Sequence, residues 1–415
     1  MDERSSWNET MLSVQVVGRG FFPLDEELQL LPGKLTPRGH ENLVRLGSWM
    51  PFERAAELLN DLLGIHISRT LSQSYTLSAG VAYEQMQTEE VAELEKHMPA
   101  VGAGAEKMQV SADGAMVPLL HGVWSEVRTV VVGQVQQDKH GIHTRNLSYF
   151  SRKVSAQEFQ RLALVEIQRR GVENAKAVAA IMDGADWEQS FVDFHCPQAV
   201  RILDFPHAVE HLNQIGECLH GEHTAESQKW VKDHSHQLKH EGPDKLLRKL
   251  DKLQHQHPGS ETIASHLTYL KKRKQQMLYP QFQIQGWPIG SGAVESGNKL
   301  VVEARLKGAG MHWDEGHVNA MLALRNVVCS GRWQEDWPKI ERYLRNQRQQ
   351  RRKQLHLQHF PPAPTSLIAR ALQGDFLTLD QETQQPPAQN RSRNNSWRKF
   401  KHGKALYQRS FPPKK

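Results

Sequence analysis

The sequence predicts a mixed α/β core interrupted by an all-helical insertion, with a helical unit before it and a basic tail after it. Three observations point there. Between Met108 and Phe205, strand-like runs come first and then alternate with helical stretches, the order expected of a mixed sheet with crossover helices. From residue 208 to 280 the strand pattern stops and the chain reads as helix throughout. From Gly331 to the end, 18 Lys/Arg stand against six Asp/Glu, a net +12, which leaves −6 on residues 1–330 of a chain whose total is +6.

At 415 residues the chain can bury a sizeable core and hold two or three domains. It contains no run of about 18 apolar residues and no charged-then-apolar leader, so the expectation is a soluble, cytoplasmic protein with no membrane partner. Cys196, Cys218 and Cys329 are scattered without a CxxC pair, which fits a reducing compartment and argues against a zinc ribbon or disulfide framework. A basic tail on an acidic body points to a polyanion, most often nucleic acid. A solvated tail would carry the same charge.

Taken in order, residues 1–50 read as an irregular lead-in, with scattered Gly and Pro in "GRGFFPLDEELQLLPGKLTPRG". Residues 51–100 read as a helical unit. Ala55, Leu59, Leu62 and Leu63 recur at helical spacing, Gly64 breaks the run, and Ser68 can cap a second helix that opens at Arg69. Two helices across a tight turn are the layout of a helix-turn-helix, and also of an ordinary helical hairpin. Residues 81–100, rich in Glu, read as a solvated helix.

Residues 105–207 form the first part of the core. "MQVSADGAMVPL", "WSEVRTVVVGQV" and "RNLSYFS" are strand-like, "SAQEFQRLALVEIQRRGVE" is an amphipathic helix with Ser155 as N-cap, and "AKAVAAIMDG" and "AVRILDF" are short buried strands. Residues 208–285 form the helical insertion and 286–335 the second part of the core. Residues 336–415 form the tail, helical and basic at first and then dominated by Pro, Gln, Asn and Ser from Phe360.

Three apolar runs end on an aspartate: Asp113, Asp183 and Asp204. A carboxylate there sits at the carboxyl edge of a sheet, where α/β active sites open. Asp113-Gly114 and Asp183-Gly184 are equally ordinary turn dipeptides. A third acid comes from "GWPIGSGAVESGNKLVVEARLKGAGMHW", which puts Glu295 on the first turns of a helix entered through Gly-Ser-Gly. Two strand-end aspartates and a helical glutamate converging on one point would repel each other without cations. Hard oxygen ligands suit Mg²⁺ or Mn²⁺, and two such ions suit phosphodiester chemistry.

The order Asp113, Asp183, Glu295, with a helical insertion before the glutamate, resembles a DDE transposase with an RNase H-like catalytic core. The phrases "GRGFFPLDEELQLLPGKLTP", "DGADW", "ILDFPHAVEHL", "GSGAVES" and "RLKGAGMHW" resemble specifically the Kra-type group of bacterial insertion-sequence transposases. The likeness runs from about residue 17 to Trp337, with a weaker echo in "NNSWRKFKHGKA". It implies Asp113, Asp183 and Glu295 as catalytic metal ligands for two Mg²⁺ or Mn²⁺ ions. The implied partners are DNA, as terminal inverted repeats and as target, and further copies of the chain in a dimer or larger assembly. The implied location is the bacterial cytoplasm, at the nucleoid.

Related families with an insertion carry a Cys/Asp-x-x-His motif on the strand after the second aspartate. Asp204-Phe205-Pro206-His207 resembles it, so Asp183 is assigned to the metal and Asp204 with His207 to a supporting role. Pro206 departs from the aromatic expected there. Asp204 stays in competition with Asp183 for the second metal position.

Other residues carry two readings each. Glu303, eight residues after Glu295, is a substitute third acid or a salt-bridged surface residue. Arg305 and Lys307, beside Gly308 and Gly310, are candidate DNA phosphate contacts or a capped helix end, and Arg69 is a further candidate DNA contact. Trp187 and Trp313 are base-stacking platforms or core. The histidines between 207 and 257 lack zinc spacing. "KKRK" at 271–274 is a solvated face or a backbone track. Two other functions are open on the sequence: a nuclease on the same core without strand transfer, and a catalytically silent DNA-binding protein.

Overall fold

The computed structural model describes residues 12–14, 19–21, 31, 35–99, 104–139 and 141–359. The chain divides into units 1–354 and 355–415. Of the second only residues 355–359 are described, as helix. The Pro/Gln-rich tail expected from Phe360 onward lies outside the described residues.

A short antiparallel hairpin pairs β1 (Leu12–Val14) with β2 (Arg19–Phe21). The lead-in is not irregular throughout. Helix α1 (Pro37–Trp49) begins at Thr36, whose side chain accepts the Gly39 N–H, with Pro37 in the first turn. Cap and proline together form a helix start, and the neighbouring Gly and Pro residues masked it in the sequence.

Helices α2 (Phe52–Leu63) and α3 (Arg69–Lys96) stand where the helical unit was expected. Gly64 ends α2 in the left-handed region at φ 65°, and the Ser68 side chain caps α3 through the Leu71 N–H. Yet α3 is 28 residues long, far more than a recognition helix needs. It absorbs most of residues 81–100, where Ala82, Tyr83, Gln87 and Val91 are buried. Halfway along it Gly80 touches the backbone of a core helix, and a Cβ there would meet the Ala320 carbonyl oxygen at 2.1 Å.

The sheet has the order β5-β4-β3-β6-β7. Strands β3 (Lys107–Pro118), β4 (Trp124–Asp138) and β5 (Gly141–Arg152) form an antiparallel meander. Strand β6 (Ala177–Met182) joins β3 in parallel, and β7 (Val200–Leu203) joins β6 in parallel. The two parallel connections run through helices, as they must. Helices α4 (Ala156–Leu162) and α5 (Leu164–Arg169) lead into β6. Helix α6 (Asp186–His195) lies between β6 and β7. The predicted Ser155 cap is present, accepting the Glu158 N–H.

Both sheet faces are covered. Val110, Ala112, Ala180 and Met182 pack with Phe159, Val165 and Phe191 of α4–α6. On the opposite face two separate cores form. Ala179 and Ile181 pack with the helices that follow β7: α7 (Phe205–His220), α8 (Ala225–Glu241), α9 (Pro243–Gln256), α10 (Glu261–Lys272) and α11 (Tyr279–Ile284). Ala115, Val117, Val127 and Tyr149 pack instead with a helical run from Gly292 to Leu306 and with α14 (Glu315–Cys329). That run is α12 (Gly292–Gly297), a π-helical segment Asn298–Glu303, and α13 (Ala304–Leu306). Helix α15 (Trp333–His359) closes the described chain. No described helix is long and apolar enough to cross a membrane.

Candidate metal centre

The register of the two central parallel strands sets the site. Val110 pairs with Ala180, and continuing that register brings Asp113 opposite Asp183. Side chains alternate across a strand, so Asp113 shares its face with Ala115 and Val117, and Asp183 shares that of Ala179 and Ile181. These are the sets that pack into the two separate cores of one sheet face. The aspartates therefore meet at the seam between the two helical layers.

A third acid completes the cluster, and it is Glu188, on the first turn of α6. One carboxylate oxygen from each of Asp113, Asp183 and Glu188 lies within 4.8 Å of the others. Local backbone holds each in place. Asp113 Oδ1 accepts its neighbour's Gly114 N–H at 2.7 Å, and Oδ2 accepts the Asn298 side-chain amide at 2.9 Å. Asp183 Oδ1 accepts the Ala185 N–H at 2.8 Å. Gly184 turns the chain at φ 89° and donates its N–H to Glu188 Oε2 at 3.0 Å. A helix clamps this turn from the insertion: Tyr269 donates its hydroxyl to the Asp183 carbonyl, and Arg273 Nε donates to the Gly184 carbonyl at 3.1 Å.

The electrostatics call for a cation. No Lys or Arg among the described residues forms an ion pair with any of the three acids. Burial, and then the Asp183 charge, push the Asp113 carboxyl up. Glu188 is 1% exposed. Burial, a hydrogen bond with Asp183 and the charges of Asp183 and Asp113 push it up to about 10. Desolvation, the hydrogen bond and like charge all act on Glu188 in the same direction. Either a proton or a hard divalent ion relieves them, and an all-oxygen set suits Mg²⁺, Mn²⁺ or Ca²⁺.

The sequence-predicted residues fall as follows. Asp113 and Asp183 come together. Glu295 does not join them: it is exposed on the first turn of α12, and its carboxylate pairs with Lys299. The helix presents Asn298 to Asp113 instead. Glu188 was missed because "DGADWEQ" reads as a solvated helix start. Its signal is an acid five residues past a strand-end aspartate, on the first turn of the helix that follows.

Asp204 is 6% exposed and spends both oxygens on backbone: Oδ2 accepts the His207 N–H at 3.0 Å and Oδ1 the Ser291 N–H at 2.6 Å. It caps α7 and ties down the Gly-Ser-Gly loop that launches α12. His207 lies 3.3 Å from Glu210, within the same helix.

Arg305 is 2% exposed, a buried residue rather than a surface one. Its Nε donates to the Gly47 carbonyl. Lys307 pairs with Glu303 at 2.8 Å, which gives Glu303 its salt-bridged reading. Arg69 is exposed at the start of α3. Trp313 is buried, and Trp187 sits edge-on to Phe159 beneath Arg128. The histidines form no metal-ligating group among the described residues. Compared with known proteins, the chain matches no family model and no curated protein sequence.

Proposed function

We propose that the chain is a divalent-metal-dependent DNA transposase with an RNase H-like core, cutting at element ends and joining the exposed 3′-hydroxyl to target DNA. The observation that carries this reading is the largely sheltered cluster of Asp113, Asp183 and Glu188, on adjacent parallel strands and the following helix, with no Lys or Arg paired to it among the described residues. Support for the RNase H-like part comes from the sheet, an antiparallel meander extended through its first strand by two parallel strands. Asp113, Asp183 and Glu188 would hold Mg²⁺ or Mn²⁺, two ions in the full reading. Ions held by these residues would supply a lowered pKa for an attacking water or hydroxyl and positive charge beside the departing oxygen.

The chain's own residues supply position. Asn298 orients Asp113, the Gly184 turn orients Asp183 and Glu188, and Tyr269 with Arg273 fixes that turn against the insertion. The π-helical segment at Asn298 breaks the regular helix at the site, a place where such segments recur. Glu295, three residues before Asn298, is the other claimant to the third acidic role.

In this reading α2 and α3 recognise terminal inverted repeats. The Arg-rich α15 and the tail add salt-dependent affinity for DNA, and paired ends are held by two or more copies of the chain. The setting is the bacterial cytoplasm, at the nucleoid.

The test is cleavage and strand transfer on DNA carrying the sequences that flank the gene, in Mg²⁺ or Mn²⁺. Wild type is run beside Asp113→Asn, Asp183→Asn, Glu188→Gln, Glu295→Gln and Asp204→Asn, each checked for folding and DNA binding. Asp113, Asp183 and Glu188 variants should bind without cutting, while Asp204→Asn keeps some activity. An inactive Glu295→Gln beside an active Glu188→Gln would return the third role to Glu295. Wild type that cuts without joining is a nuclease, and wild type that binds without cutting overturns the enzymatic reading.

A further inference from the structure

A second constellation lies apart from the acids. A cavity of about 430 Å³ opens where three helices begin, lined by Phe52 and Glu53 of α2, Arg69 of α3 and Asp314 at the cap of α14. Arg305 and Trp313 also line it, 2% and 5% exposed. The Arg305 guanidinium lies against the rings of Phe52 and Trp313, 4.7 and 5.0 Å from their centroids, where the two rings meet edge-to-face. Its Nε is spent on Gly47, and its Nη1 lies 3.8 Å from the Met311 sulfur.

What remains is a pair of orphaned donors. Arg305 Nη2 and Trp313 Nε1 are buried with no hydrogen-bond partner among the described residues. Arg305 forms no ion pair among them either. Its buried neighbour Arg325 spends its guanidinium on the carbonyls of Leu300, Val301 and Ser48. Burial, then Arg325, bring Arg305 down to about 10, so it keeps its charge at neutral pH.

A buried charge without a counter-charge is costly, and so is each unmade hydrogen bond. The three converging helix starts add positive potential. Two carboxylates oppose it: Asp314 Oδ1 accepts the Gly316 N–H of its own helix, and Glu53 is exposed. Both atoms only donate, so a ligand that meets them must accept.

We propose that this cavity binds a phosphate group, with Arg305 Nη2 and Trp313 Nε1 donating from within and Arg69 from the exposed rim. The assignment does not depend on the metal reading. The phosphate belongs either to a DNA strand or to a free small molecule, and the cavity is larger than a lone phosphate needs.

The test uses the full chain labelled with ¹⁵N-tryptophan, in EDTA so that the acidic cluster plays no part. Trp313→Phe, checked for an unchanged fold by circular dichroism, identifies the Trp313 indole N–H resonance by its disappearance. Inorganic phosphate should shift that resonance saturably in about the millimolar range, while chloride at matched ionic strength does not. Arg69→Gln, at an exposed site, should weaken the effect about three- to tenfold.

Short oligonucleotides with and without a 5′-phosphate identify the source. A shift with only the phosphorylated form assigns a strand end, and a shift with both assigns the backbone. A shift with inorganic phosphate alone assigns a free small molecule. No shift with phosphate or with either oligonucleotide, or an equal shift with chloride, overturns the proposal.

Discussion

Replacing Glu188 with glutamine should stabilise the metal-free protein, although Glu188 is buried and hydrogen-bonded. Its carboxyl is held at about 10 against an ordinary value of 4.5. Between those values the folded chain binds a proton that the unfolded chain releases, so stability falls as pH rises through the window. At pH 7 the deficit is about 3 kcal/mol, and it grows by about 1.4 kcal/mol per further pH unit until about pH 10. Glutamine is neutral throughout. Its carbonyl can still accept the Gly184 N–H, and its amide can donate to Asp183.

The assay is thermal or urea unfolding of wild type and Glu188→Gln in EDTA at several pH values, repeated with saturating Mn²⁺. In EDTA the variant should be the more stable, with a gap that widens as pH rises. Manganese at about 100 times its Kd adds about 2.7 kcal/mol to a protein that binds only when folded. Wild type should gain on that scale and the variant much less. A variant that is less stable in EDTA, a gap independent of pH, or equal gains from Mn²⁺ would refute the assignment of these three acids to one cation site.

Two further outcomes follow from the same geometry. Asp204→Ala removes an N-cap and the Ser291 tether together and should cost about 2–3 kcal/mol in urea unfolding, with Asp204→Asn recovering part; a loss under about 0.5 kcal/mol would show that neither bond matters. His40 is buried, stacked on Tyr75 at 4.7 Å with Nε2 unpartnered among the described residues, and burial lowers it to about 4. The unfolded chain therefore takes up a proton first on acidification, and stability should fall by about 2 kcal/mol between about pH 7.5 and about pH 5. His40→Phe should flatten that slope, and an unchanged slope would place the titration elsewhere.

Local rules made much of this molecule legible in one dimension. Alternating and continuous apolar runs located the strands of the sheet, because a strand buried on both faces has few other ways to be written. Asp113 and Asp183 stood out because each ends or interrupts such a run. Ser155, Ser68 and Gly64 marked helix ends through bonds that reach only a few residues along the chain. The absence of strand pattern was enough to read residues 208–280 as helix.

Tertiary structure alone decided which acids meet and which charges are buried. Glu188 and Glu295 are indistinguishable in sequence terms, both on the first turn of a helix after a Gly-containing loop. The register of β3 on β6 and the turn at Gly184 bring one in, while Lys299 holds the other at the surface. Arg305 reads as a surface cation beside glycines, yet α2, far away in sequence, closes over it together with the Trp313 loop. Helix α3 looks like a short helix with a solvated extension until α14 packs along it at Gly80. The pairing of β3 with β6, the cover of α2 over Arg305 and the packing at Gly80 join residues tens to hundreds of positions apart, and no local pattern carries that information.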